Sequence, residues 1–94
     1  MSKTTQTRDM IKDALSFCVG KKNAVTSRHL ENLVGCASPT VRRVVNELRA
    51  EGMKICSGKN GYYVARDDKD VSVTIRQMES RIAIMQKAIE GLRR

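Results

Sequence analysis

Aromatic side chains are scarce in this 94-residue sequence, which has no tryptophan, one phenylalanine and two tyrosines. Single-stranded RNA is usually recognised by stacking bases on exposed rings. With Tyr62 and Tyr63 needed inside a hairpin, that mode of binding is disfavoured. Histidine is represented by His29 alone, and the three cysteines, Cys18, Cys36 and Cys56, lie far apart. Structural zinc sites draw on close ligand pairs, so no metal is expected and the cysteines read as reduced, buried thiols. There is no nucleotide-binding glycine motif, no recognisable pair of carboxylates and no cysteine with an evident base beside it. Neither enzymatic activity nor a cofactor is therefore expected. No stretch approaches the roughly 20 apolar residues of a membrane span. The opening MSKTTQTRD also lacks the hydrophobic run of a signal peptide, so the expected location is cytoplasmic, with no membrane partner.

What the sequence does have is positive charge, a net +8, unevenly spread. Residues 1–66 carry twelve Lys and Arg against five Asp and Glu, whereas residues 67–94 carry six against five. A compact basic unit attracts polyanions, nucleic acid first among them. Hydrophobic residues make up 40% of the chain, enough for one modest core and no second large domain.

The periodicity divides the chain into a flexible arm over residues 1–6, a globular domain over 7–66 and a C-terminal helix over 67–94. Met10, Ile11, Ala14, Leu15, Cys18 and Val19 recur at helical spacing, predicting a first helix from Thr7 to Val19. Ala24 and Val25 make a stub of strand. Thr26 and Ser27 then cap a second helix whose Leu30, Leu33 and Val34 face inward and which Gly35 closes. In the next stretch, SPTVRRVVNELRAEG, Ser38 suits a cap, Pro39 the first turn and Gly52 a left-handed stop. Val41, Val44, Val45 and Leu48 form an apolar stripe there. Thr40, Arg42, Arg43, Asn46 and Glu47 project elsewhere. That outward set suits a DNA major groove, with guanidinium forks for guanine or phosphate and an amide for adenine, although a solvated basic face has the same composition. After Gly52 come two short alternating runs, 53–57 and 62–65, around Gly58-Lys59-Asn60-Gly61. Asn-Gly is a strong hairpin signal, with Ile55 and a tyrosine as anchors.

Helix, stub strand, helix, tight turn, helix and two-stranded hairpin together resemble the winged helix-turn-helix family of DNA-binding proteins. The phrases VTSRHLENLVGCASPTVRRVVNELRAEG and GKNGYYVARDD are similar to small phage- or prophage-encoded members. The implied fold is mainly α with a small β-hairpin, and the likeness covers about residues 7–66. The resemblance implies that Ser38, Pro39, Thr40, Arg42, Arg43 and Asn46 lie on or at the start of the helix that reads the major groove. It further implies that Lys59 at the wing tip touches the flanking backbone, and that Ser27 and Arg28 meet phosphate at the start of the second helix. Pro39 departs from the pattern by removing an amide otherwise available to a phosphate.

In the last segment Val71, Ile75, Met78, Ile82, Met85, Ile89 and Leu92 alternate spacings of four and three, the seam of a coiled-coil-like helix. Self-association into a homodimer is the expected use, with folding back onto the domain as the alternative. The function expected is that of a sequence-specific double-stranded DNA-binding protein, a phage-type transcriptional regulator working as a dimer. A phage replication or origin-binding accessory protein would need the same basic face. A protein-interaction adaptor that never touches DNA is the alternative of a different class, its protein partner unspecified.

Overall fold

The computed structural model describes the backbone of residues 3–94 and the side chains of residues 6–94. The chain is mainly helical. Its elements are α1 (Lys3–Ser16), a 3₁₀ turn (Lys21–Asn23), α2 (Ser27–Val34), α3 (Ser38–Ala50), the strands β1 (Ile55–Gly58) and β2 (Gly61–Val64), and α4 (Asp68–Arg93). Of the arm expected over residues 1–6, Met1 and Ser2 lie outside the described residues, whereas Lys3 to Gln6 belong to α1. At its other end α1 stops at Ser16 instead of Val19, because the following residues are drawn into β pairing. The Val64 amide donates to the Cys18 carbonyl at 2.7 Å, and the Gly20 amide donates to the Val64 carbonyl at 2.9 Å.

Thr26 caps α2, its Oγ1 accepting the His29 amide at 3.1 Å, and Gly35 ends the helix with a left-handed φ of 74°. The cap of α3 is Ala37, not Ser38. The serine is already helical, Pro39 follows it, and no side chain caps that end. The Thr40 and Val41 amides donate to the Ala37 carbonyl instead, at 3.0 and 3.3 Å. Pro39 is tolerated because first-turn amides lack a helical partner in any case. At the far end the Met53 amide donates to the Leu48 carbonyl and the Gly52 amide to the Arg49 carbonyl, both at 3.0 Å, which is a Schellman stop.

Ile11 and Leu15 of α1, Leu30 of α2, the four apolar residues of α3 and Ile55 of β1 bury one another in a single core. Arg8 also donates to the Glu51 carboxylate, tying α1 to the end of α3. That bond holds the Glu51 carboxyl below the usual carboxylate range.

The strands pair antiparallel, with Ile55 opposite Val64 and Ser57 opposite Tyr62. Residues paired or two apart share a face, so Ile55 and Tyr62 turn to the helical core while Cys56 and Tyr63 turn away from it. There the start of α4 covers the hairpin. The Cys56 thiol donates to the Asp70 carbonyl at 3.5 Å, Thr74 is buried, and Val71 and Met78 are half-buried. A free two-stranded hairpin is marginal in water; this one is covered on both faces. It also gains a partner at its edge, since Val25 and Tyr62 exchange amide-to-carbonyl bonds of 2.8 and 2.7 Å. The loop is Lys59-Asn60. Among the described residues only glycines have positive φ, which excludes the type I′ turn that Asn-Gly usually signals.

Asp67 caps α4 by accepting the Asp70 amide at 3.0 Å, and the Asp70 carboxylate accepts the Arg66 amide at the same distance. With 26 residues, α4 is about 39 Å long. From Glu79 onward every residue is exposed. The expected seam is therefore divided. Val71 and Met78 are partly covered, Ile75, Ile82, Met85, Ile89 and Leu92 are exposed, and the strip that packs on the hairpin centres on Thr74.

Candidate nucleic-acid interface

With its apolar face committed to the core, α3 presents two polar stripes. Arg42, Asn46 and Arg49, spaced by four and three residues, face the hairpin. Thr40, Arg43 and Glu47, spaced by three and four, turn towards α1. Neighbours in sequence are thus separated in space, because adjacent helical residues project about 100° apart.

The first stripe forms one wall of an open groove of about 520 Å³. Ser57 and Tyr62 of the hairpin form its base, and Met78, Arg81, Ile82 and Met85 of α4 its opposite wall. Arg49 fixes the geometry. Its Nε donates to the Ile55 carbonyl at 2.8 Å, Nη2 to Ser57 Oγ at 3.5 Å and Nη1 to Asn46 Oδ1 at 3.4 Å. These are neutral acceptors. Burial works against the Arg49 charge and lowers its pKa from the ordinary arginine value, and the nearby positive charge of Arg81 adds to that effect. Among the described residues no aspartate or glutamate lines the groove. A positive field in such a place is screened less than on open surface.

Ser27, Arg42 and Asn46, all expected to bind DNA, come together in this groove, although the Ser27 hydroxyl donates to Glu31 Oε2 at 3.0 Å. Thr40 and Arg43 open instead into a second cleft beside Gln6 and Met10 of α1, where Arg43 pairs with Glu47 at 3.0 Å. Arg28, Pro39 and Lys59 are exposed and Ser38 is half-buried, none of them lining the groove. Lys59 occupies the hairpin tip, as expected. The sequence reading missed Arg49 and gave Arg81 no binding role. Arg49 carried a signal, since it stands seven residues after Arg42 and three after Asn46. For Arg81 nothing local shows which element it will meet.

Among the described residues no cluster of three or more His, Cys, Asp or Glu is placed to hold a metal ion, and no helix is long and apolar enough to cross a membrane. No family model, curated protein or solved structure matches the chain.

Proposed function

We propose that this chain is a sequence-specific double-stranded DNA-binding protein of the winged helix-turn-helix kind, acting by binding without catalysis. In this reading α3 enters the major groove, the β1–β2 hairpin is the wing, and two copies pair through α4. A phage-type transcriptional regulator working in the cytoplasm is the role that fits best. The observation that carries the reading is the groove beside α3, where Arg42, Asn46, Arg49 and Arg81 converge without a carboxylate among the lining residues. Arginine and asparagine are the side chains that make paired hydrogen bonds to guanine and adenine edges, and the remaining guanidiniums suit phosphate. The apolar residues left exposed on α4 beyond the groove, Ile89 and Leu92, support pairing.

Selection of bound sequences from a random duplex pool tests specificity, symmetry and half-site spacing together. The expected outcome is an inverted repeat with half-sites about 34 Å apart, one helical turn, or a multiple of it. Failure to retain any duplex at low salt would remove the DNA reading and favour the adaptor.

A further inference from the structure

We propose that Arg81, on the C-terminal helix, is a DNA-backbone contact that completes a phosphate site with Arg49, beside Arg42, in the groove between α3, the hairpin and α4. The inference rests on the DNA-binding reading and extends the interface to a helix to which that reading gives only a pairing role.

Three guanidiniums reach this groove from two elements far apart in sequence, and among the described residues no acidic one lines it. Among the described residues none of the three arginines has a carboxylate within ion-pair distance; Arg8 and Arg43 do. Arg49 is half-buried and held by neutral acceptors, with three of a guanidinium's five N–H donors in use. A cation withdrawn from water without a counterion is costly, and a second cation close by adds repulsion. A phosphate between Arg49 and Arg81 would relieve both. The walls reinforce this, because Tyr62, Met78, Ile82 and Met85 keep part of the groove apolar, where charge–charge attraction is weakened less than in open water. A phosphodiester suits the space better than an isolated small anion, since the groove is open and runs alongside the helix whose Arg42 and Asn46 are the base-reading candidates.

The test is titration of a labelled duplex with the full chain across a series of KCl concentrations. Arg81→Ala should reduce the slope of log K against log salt by about 0.9 per bound subunit, the amount for one phosphate contact, and weaken binding severalfold at low salt. Arg81→Lys should restore the slope, because a phosphate contact needs the charge more than the fork. Arg76→Ala, which removes an exposed arginine of the same helix outside the groove, should have the smaller effect. Arg81 is exposed and its charge repels Arg49, so its substitution should not lower the temperature of thermal unfolding. If the unaltered chain binds duplex and Arg81→Ala keeps the full slope, or if Arg76→Ala matches its loss, the phosphate site is overturned and reading by α3 stands. If the unaltered chain binds no duplex, both fall.

Discussion

Arg42 and Arg43 are adjacent in sequence and open into different clefts, about 100° apart around α3. Arg42 lines the groove shared with the hairpin and α4, and Arg43 borders the cleft beside α1, paired with Glu47 at 3.0 Å. The two arginines should therefore differ in function. Arg42→Ala is expected to weaken the preferred duplex by about 1–3 kcal/mol while affecting random duplex less, as loss of a base contact does. Arg43→Ala should cost little of that discrimination, and an exposed pair four residues apart contributes only about 0.3–0.5 kcal/mol to folding. Competition binding with selected and scrambled duplexes measures both. The opposite ranking would place the reading stripe on the α1 side.

Gly61 should be the least replaceable glycine. Its φ is 112°, and an added Cβ would lie 2.1 Å from the Val25 carbonyl oxygen, a backbone atom that cannot swing aside. Gly61→Ala must break the Val25–Tyr62 bridge or strain the turn, so a loss above about 2 kcal/mol is expected in denaturant unfolding. Gly52 is the comparison. Its φ of 104° also disfavours a side chain, but nothing lies within 4 Å of an added Cβ, so Gly52→Ala should cost nearer about 1 kcal/mol. Equal losses would show that backbone conformation, and not the approach of Val25, sets the requirement at position 61.

The Asn-Gly signal thus located the hairpin for a reason different from the one it usually carries. Other features were legible for the expected reasons. Thr26 caps α2, Gly35 stops it, and Val41, Val44, Val45 and Leu48 fill the core, because caps and apolar periodicity are properties of a few consecutive residues. The features that escaped depend on distant partners. Cys18 and Val19 continue a helical spacing yet pair with β2. Arg49 and Arg81 share a groove only because α4 crosses the hairpin. The packed strip of α4 centres on Thr74, a polar residue that an apolar pattern passes over.

Thr74 itself offers a stabilising substitution. Its side chain is buried against the hairpin and Oγ1 has no hydrogen-bond partner among the described residues. The carbonyl one turn earlier, that of Asp70, receives the Cys56 thiol. A buried hydroxyl that bonds to nothing has lost its hydration without compensation. Thr74→Val keeps the shape and removes that penalty, so it should raise stability by about 1 kcal/mol in chemical denaturation. Destabilisation by the valine would mean that the hydroxyl is satisfied in solution.

The exposed end of α4 separates pairing from folding. Ile89 and Leu92 lie on the expected seam, outside the groove lining, and are 45% and 87% exposed. Substitutions there remove little that a single chain buries. Ile89→Asp together with Leu92→Asp should leave the unfolding of the isolated chain nearly unchanged while abolishing self-association, since two charges on a coiled-coil seam have no place to be solvated. Sedimentation equilibrium of the unaltered chain and the double variant is the measurement, with a dimer and a monomer expected respectively. Binding should follow the oligomeric state. A symmetric two-half-site duplex held by the dimer benefits from the high effective concentration of the second reading head, and that gain disappears for the monomer, whereas affinity for a single half-site is retained. A dimer that survives both aspartates would place the pairing surface elsewhere. A monomeric unaltered chain would leave α4 as a wall of the groove and nothing more.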